Sequence, residues 1–402
     1  MKKTELTNLY IRLQSMAVFR ALLSDPVMSC LCSYLSSLET SATSEQISRY
    51  GEFVSSLYGA GSVSLGKYIQ SIVNDNENPY ICLIGRGEMP CGEMESCVRE
   101  ELETLQVVAD LTPEKLRGAL DWTGYLPVFK VEKTDTAGDY RQRCANIGRY
   151  GYGIYARYRM FYVNTDNHIV PVRNPDRTLL KNLVDYKREQ QIILDNTMAL
   201  LEGRPAANIL LTGDAGTGKS STVKAIVNEL YPRGLRILEV RKDQLHEIPE
   251  ILDTLNSNPL KFILFIDDLS FQKDDDNFSA LKAILEGSVS AKSANVVIYA
   301  TSNRRHLVKE SFSDRDGDDV HRNDTMQELI SLSERFGIHV TFQKPDKKTY
   351  LDIVHHLAQE RGLEYDPAEL ELLAERYALG RGGRSARAAT QFVDNLLAAQ
   401  KK

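Results

Sequence analysis

The segment Gly213–Ser220, GDAGTGKS, constrains the fold of this chain more than any other part of the sequence. It matches the phosphate-binding pattern G-x-x-x-x-G-K-[ST] at every specified position. The glycines Gly216 and Gly218 let the backbone bend so that successive N–H groups face bound phosphates. An apolar run precedes the segment and a helical pattern follows it, so we predict a strand, a loop and a helix whose N-terminus also attracts anions.

Each residue of this loop is a candidate for nucleotide binding. Lys219 can reach the β- and γ-phosphates, and the Ser220 hydroxyl can ligate Mg²⁺. The remaining candidate nucleotide-binding residues are Gly213, Asp214, Ala215, Gly216, Thr217, Gly218 and Ser221. The loop therefore predicts ATP and Mg²⁺ as cofactors.

Short apolar runs alternate with helical patterns throughout the second half of the chain. The runs are NILLTG, LRILEV, KFILFID, NVVIYATS and IHVTF, at residues 208–213, 235–240, 261–267, 295–302 and 338–342. Such alternation is typical of a parallel sheet that is covered by helices on both faces. We therefore predict an α/β fold for this half, and a helix over residues 178–201 before it.

Polar residues follow two of these predicted strands. Asp267 ends the third run, where a carboxylate beside the phosphate-binding strand can support Mg²⁺. Asp268 comes next and can orient the attacking water, although two acids can also simply cap a strand. Asn303 follows the fourth run and can hold the water or the γ-phosphate without adding charge. Asp267, Asp268 and Asn303 are therefore candidate catalytic residues, and Asp267 with Ser220 is the candidate metal site.

Three arginines near the C-terminal end are further candidates. Arg335 lies in SERFG before the last predicted strand, from where it can reach a nucleotide on a neighbouring copy. A surface salt bridge to Glu334 is the alternative interpretation. Arg384 and Arg387 open the final helix in GGRSAR, and either can approach the γ-phosphate or merely cap that helix. We take Arg384 as the candidate that senses the nucleotide.

The N-terminal part has a different character. Residues 1–165 contain mainly helical patterns, while the run PYICLIG at 79–85 predicts a short strand or a buried apolar segment. Residues 166–177 contain two prolines and predict a linker. We expect an N-terminal domain over 1–165, an ATPase core over 178–345 and a helical lid over 346–402.

The segment 149–163, RYGYGIYARYRMFYV, is rich in tyrosine and arginine. One interpretation is a stacking or cation–π surface for a nucleic acid or a partner. The interpretation we favour is an aromatic strand and turn that packs the N-terminal part onto the ATPase part, since cores and interfaces use tyrosine in the same way.

Composition excludes several classes of protein. The net charge of −6 and the pI near 5.8 provide no overall attraction for nucleic acid. No apolar run approaches the roughly 20 residues that a membrane span needs, so we expect no membrane insertion. All six cysteines lie in the first 144 residues without CxxC spacing. This arrangement is typical of free thiols, and we expect a cytoplasmic protein.

The order of the motifs resembles that of the AAA+ ATPases. GDAGTGKS, FILFIDD, ATSN, SERFG and GGRSAR stand in the order Walker A, Walker B, sensor 1, arginine finger and sensor 2. The resemblance covers residues 176–402. Within that superfamily the chain is similar to a bacterial group known only as ATP-binding proteins of unknown function, and no characterised family resembles residues 1–165.

This resemblance implies a five-stranded sheet in the order 5-1-4-3-2, with nucleotide bound between the sheet and the lid. It also implies an adenine site near Leu183, Val184 and Tyr186, and a ring or filament in which Arg335 completes a neighbour's site. Two features depart from the family. Asp268 stands where most members have glutamate, and residues 241–248 lack the aromatic–glycine pore loop of threading unfoldases.

Three functions are compatible with these residues. The first is an ATP-dependent, oligomeric switch or remodeller whose N-terminal part recognises an unknown protein or nucleic-acid client. The second is an ATP-gated loader that hydrolyses little ATP and binds nucleic acid through residues 149–162, with Arg157 and Arg159 as contacts. The third is a scaffold with an idle nucleotide site, which the intact set of site residues disfavours.

Overall fold

A computed structural model describes residues 2–269, 276–286, 294–303 and 334–400 of the chain. The chain divides into two compact units, Met1–Arg157 and Tyr158–Lys402. This division lies earlier than the predicted boundary at residue 165. The residues just after it form a strand of the second unit's sheet, and the predicted linker contains another strand.

The first unit is helical over its described residues. Its helices are α1 Lys3–Gln14, α2 Pro26–Thr40, α3 Thr43–Gly59, α4 Leu65–Asn74, α5 Pro79–Gly85, α6 Gly92–Ala109, α7 Pro113–Arg117, α8 Thr136–Ala145, α9 Ile147–Tyr150 and α10 Ile154–Arg157, with a 3₁₀ turn at Arg20–Ser24. The strand considered for residues 79–85 is wrong, because these residues form α5. Asn78 caps this helix by accepting the N–H of Ile81, and Pro79 occupies the first turn. These end signals outweigh a short apolar run.

Aromatic rings and a buried carboxylate organise this unit. Tyr34 and Tyr50 meet edge to face with ring centroids 5.4 Å apart. The Glu101 carboxylate on α6 accepts backbone N–H groups from Val18 and Phe19 at 3.1 and 2.8 Å. A charged side chain can be buried here because these bonds replace its hydration. All six cysteines are free thiols.

The described part of the second unit contains a seven-stranded sheet in the order β2-β1-β4-β5-β6-β3-β7. The strands are β1 Met160–Val163, β2 Ile169–Pro171, β3 Ile209–Gly213, β4 Leu235–Glu239, β5 Lys261–Ile266, β6 Val296–Ser302 and β7 Ile338–Phe342. Strands β3 to β7 are parallel, and they correspond to strands 1 to 5 of the predicted sheet. Read from β7, their order is β7-β3-β6-β5-β4, so the predicted order 5-1-4-3-2 is confirmed. The predicted count of five strands is too low, since β1 pairs parallel to β4 and β2 pairs antiparallel to β1.

Helices cover this sheet and form the lid. They are α11 Lys187–Leu201, α12 Lys219–Leu230, α13 Ile248–Asn256, α14 Asp276–Glu286 and the lid helices α15 Lys347–Glu360, α16 Pro367–Gly380 and α17 Ala386–Gln400. Strands β3 and β6 are buried along their whole length, which accounts for their continuous apolar sequences. The helix predicted over 178–201 begins only at Lys187, because Tyr186 adopts a left-handed φ of 66° after a 3₁₀ turn at Leu180–Asn182. None of the helices in the described ranges is both long and apolar enough to cross a membrane.

Candidate nucleotide-binding site

The phosphate-binding loop joins β3 to α12 and depends on its glycines. Gly213 has φ of 141°, and a Cβ atom there would lie 2.1 Å from the carbonyl oxygen of Phe342 on β7. Gly216 has φ of 79°, and its Cβ would lie 2.9 Å from the Cβ of Arg387 on the lid. Side chains are excluded at both positions by the backbone angle and by the close neighbour. The loop is therefore held against the last strand on one side and against the lid on the other.

Lys219 opens α12 with its side chain folded back over the loop, and the residue is 5% exposed. Its Nζ donates hydrogen bonds to the carbonyl oxygens of Gly213 and Asp214, at 2.7 and 2.9 Å, and to Asn303 Oδ1 at 3.0 Å. Burial lowers the pKa of Lys219, while the nearby carboxylates of Asp267 and Asp214 act in the opposite direction. The cation therefore lies beside the loop that the phosphate-binding pattern predicts, in contact with two of its carbonyl oxygens.

One carboxylate oxygen beside the loop accepts hydrogen bonds from two hydroxyl groups. Ser220 Oγ donates to Asp267 Oδ1 at 2.7 Å, and Thr301 Oγ1 donates to the same oxygen at 2.5 Å. Both hydroxyl groups therefore point at the same carboxylate oxygen. A hydroxyl and a carboxylate in contact fit Mg²⁺, which takes few protein oxygens and completes its shell with water and phosphate.

Asp268 and Asn303 form the second half of the site. Asp268 has a left-handed φ of 54°, and its N–H donates to Thr301 Oγ1 at 2.9 Å. Asn303 Nδ2 donates to Asp268 Oδ1 at 2.6 Å, while the other amide atom accepts from Lys219. The predicted residues Lys219, Asp268 and Asn303 are thus linked in one chain of hydrogen bonds. The carboxyl ends of β3, β5 and β6 bring these residues together because the three strands are parallel neighbours.

These residues line a cleft of about 890 Å³ between the sheet and the lid. A smaller pocket of about 80 Å³ adjoins it and shares several lining residues. The predicted adenine-site residues Leu183, Val184 and Tyr186 all line this second pocket. The Tyr186 ring lies 4.9 Å from the Phe342 ring, and its hydroxyl donates to the carbonyl oxygen of Gln343, so the wall is fixed to β7. The mostly apolar pocket beside a polar cleft matches the two ends of a nucleotide.

The two lid arginines at the start of α17 lie in different surroundings. Arg384 donates from Nε and Nη2 to the Glu375 carboxylate at 2.8 and 2.7 Å and does not line the cleft. Arg387 does line the cleft, and its N–H donates to the Gly216 carbonyl oxygen at 3.3 Å. Arg387 and not Arg384 therefore lies at the cleft, while the prediction that Arg384 senses the nucleotide stays a prediction. The physical reason is that Arg384 precedes α17 and turns toward α16, whereas Arg387 lies in the first turn of α17.

Arg335 lies just before β7, an edge strand of the sheet, and its side chain is half-buried. It does not line the cleft of its own chain. Its action on a neighbouring copy stays a prediction.

Several residues that line the site were not recognised in the sequence, among them Thr301, Arg177 and Arg361. Thr301 contacts both acids from β6, and it lies two residues before Asn303, which follows the end of that strand. That spacing was a usable signal. Arg177 and Arg361 also line the cleft, but they come from distant segments and no local pattern marks them.

The aromatic segment 149–163 is shared between the two units. Tyr152 is part of the core of the first unit, and Phe161 on β1 is buried. Arg157 Nε donates to Asp75 Oδ2 at 2.9 Å. These positions favour packing over an exposed stacking surface.

The sheet order and the site together define the class of protein. The phosphate-binding loop follows β3 and the acids follow β5, while β6 with its polar end lies between these two strands. With a helical lid across the loop, the strand order and the positions of these residues are those that the resemblance to AAA+ ATPases implies. The chain belongs to the family described as protein of unknown function (DUF815), whose model matches residues 155–400.

Solved AAA+ structures are similar to this chain at low sequence identity. The Thermotoga maritima RuvB Holliday junction branch migration motor is 17% identical over 56% of this chain and 67% of its own, with a TM-score of 0.37. The replication initiator DnaA bound to AMPPCP and single-stranded DNA is 19% identical over 56% of this chain and 65% of its own, with a TM-score of 0.37. The chain thus spans about two thirds of these proteins. No curated protein sequence matches it.

Proposed function

We propose that this protein binds ATP with Mg²⁺ and hydrolyses it, and that this cycle switches an assembly of copies that remodels a client. The observation that carries the proposal is the hydrogen-bonded set around the cleft. Lys219, Asn303 and Asp268 form one chain of contacts, and Ser220, Thr301 and Asp267 form another. Both lie at the carboxyl ends of adjacent parallel strands, where α/β proteins bind their ligands.

The residues divide the work as follows. The loop N–H groups and Lys219 hold the phosphates, and Ser220 with Asp267 holds Mg²⁺, which neutralises phosphate charge when it is bound. Asp268 orients the attacking water and accepts its proton, while Asn303 fixes the carboxylate of Asp268. Arg387 approaches the phosphates from the lid, so closure of the lid depends on the nucleotide.

The proposal extends to partners and location. Arg335 at the sheet edge completes the site of the next copy in a ring or filament, and the first unit recognises a protein or nucleic-acid client. Because the proposed function consumes ATP, we place the protein in the cytoplasm. A loader that uses ATP mainly as an assembly signal is the alternative, and the ATPase measurement separates the two.

The test is steady-state ATP hydrolysis across a series of protein concentrations. We expect specific activity to rise with concentration, and we expect Lys219→Ala, Asp268→Ala and Arg335→Ala each to abolish it. The loss for an arginine that acts in trans is on the order of 10³-fold or more. Arg335→Ala should still bind a fluorescent ATP analogue. Arg188→Ala, a change of an exposed arginine outside the cleft, is the matched control.

Mixing two inactive variants tests the action in trans. Lys219→Ala retains Arg335, and Arg335→Ala retains an intact loop, so mixed assemblies contain some complete sites. Recovery of activity on mixing supports the proposal. If wild-type protein binds ATP but never hydrolyses it at any concentration, the ATPase proposal fails and an ATP-gated binding module replaces it.

A further inference from the structure

The lid carries a second groove that shares no lining residue with the nucleotide cleft. It lies between α16 and α17 and has a volume of about 420 Å³. The floor of this groove is apolar, and two arginines lie at its rim. The floor residues are Leu373, Tyr377, Phe392 and Leu396, and the rim residues are Arg376 and Arg381. We call this the lid groove.

The floor of the lid groove is fixed before any partner binds. The rings of Tyr377 and Phe392 lie 5.6 Å apart, and Asn395 Nδ2 donates to the Tyr377 hydroxyl at 3.2 Å. Two further leucines of α16, Leu372 and Leu379, are 71% and 80% exposed. Positions seven apart lie on one helix face, so these two leucines share a face of α16, and neither of them lines the lid groove.

The two charged side chains that line the lid groove are both cationic. Two lid carboxylates are paired with other lid arginines, since Glu375 binds Arg384 and Asp394 binds Arg361. Neither Arg376 nor Arg381 forms an ion pair within the described residues. The guanidinium of Arg381 lies instead 5.4 Å from the centre of the Tyr377 ring. The groove is therefore an apolar trough with two cations at its edge and no carboxylate in its lining.

We propose that the lid groove binds an acidic amphipathic segment of a partner protein. An aliphatic side chain of the partner fills the floor, as in helix-in-groove recognition, and flanking carboxylates pair with Arg376 and Arg381. The aliphatic part of the floor and the position of Arg381 over Tyr377 disfavour a nucleic-acid base, which needs an open aromatic face. Arg387 lines the nucleotide cleft and Phe392 lines the lid groove, and both lie on α17. A partner bound in the groove therefore contacts a helix that also borders the nucleotide cleft.

A fluorescein-labelled helical peptide of about 14 residues is the probe, with leucine at i and i+4 and glutamate on both sides of the leucines. Its binding is measured by anisotropy on the full chain. A second peptide replaces every glutamate by lysine. We expect saturable binding of the acidic peptide and no binding of the basic one. The double change Arg376→Glu and Arg381→Glu should weaken binding by at least about tenfold.

Lys348→Glu is the matched control, because Lys348 is an exposed lid cation outside the groove, and binding should be unchanged. Unchanged ATP-analogue binding by the double variant shows that the lid is folded. Several outcomes would overturn the proposal: no saturable binding at concentrations on the order of 1 mM, equal binding of the basic peptide, or no effect of the double change. A shift of oligomeric state on the double change would also overturn it, since the face would then join two copies. None of these outcomes depends on ATP hydrolysis, so the ATPase proposal is tested separately.

Discussion

Replacing Thr301 by valine tests whether one buried hydroxyl positions both acids of the site. Valine has nearly the same shape and branching, and Thr301 is only 2% exposed, so the packing is kept. Two hydrogen bonds are lost. One is donated to Asp267 Oδ1 at 2.5 Å, and the other is accepted from the Asp268 N–H at 2.9 Å.

The expected size of the effect follows from these two bonds. A hydrogen bond to a charged group contributes about 1.5–3 kcal/mol. A left-handed conformation costs a non-glycine residue roughly 1–2 kcal/mol, and Asp268 adopts one, with φ of 54°. The Thr301 hydroxyl accepts the Asp268 N–H and helps to hold this conformation, and valine removes that acceptor. If the lost interaction acts in the transition state, 1.5–3 kcal/mol lowers kcat roughly 10-fold to 150-fold.

The assay compares kcat at saturating ATP and Mg²⁺ with the affinity for a fluorescent ATP analogue. Thr301→Val should lower kcat and leave analogue affinity within about threefold, because Lys219 and the loop are unchanged. Thr301→Ser keeps the hydroxyl and should keep most of the activity. Wild-type kcat in the valine variant, or equal losses in the valine and serine variants, would refute the argument.

Further predictions concern the lid and the loop. Arg387→Ala should weaken binding of the ATP analogue, whereas Arg384→Ala should instead lower the melting temperature, because Arg384 is paired with Glu375. The hydrogen bond from Arg384 holds the pKa of Glu375 below 4.5, so its contribution to stability is present above pH 4.5 and is lost as the pH falls through the lowered value. The melting temperature of Glu375→Gln, measured as a function of pH, should lack this acid-dependent decrease. If the pH profile of that variant equals that of the wild type, the decrease does not come from Glu375. Gly216→Ala should weaken analogue binding about tenfold or more, since its φ of 79° and the Arg387 Cβ at 2.9 Å exclude a side chain. Wild-type affinity in that variant would show that the loop relaxes freely.

The loop and the acids were predictable because their chemistry is local. A phosphate-binding loop needs particular residues at adjacent positions, so Gly213–Ser220 is complete in the sequence. Asp267, Asp268 and Asn303 follow apolar runs, and parallel strands bring such ends to one edge. The order of the five core strands came from the resemblance to AAA+ proteins, since apolar runs alone do not say which strands are neighbours.

Other features escaped prediction for identifiable reasons. An aromatic strand was predicted within 149–163, but the sequence did not mark its bounds at 160–163 or its pairing with the ATPase sheet. The start of α11 was misplaced because a left-handed residue at Tyr186 has no marker in the sequence. The run at 79–85 was ambiguous because seven residues suit either a strand or a short helix.

The sequence by itself determined the phosphate-binding loop, the acids and the α/β character of the second half, because each depends on residues close together in the chain. Only the tertiary structure showed that Arg387 lines the cleft and that Arg384 is paired with Glu375, since both arginines lie at the start of the same helix. It also decided that Thr301 holds two acids. That role requires β5 and β6 to be neighbours in register, and such a pairing depends on contacts between distant residues.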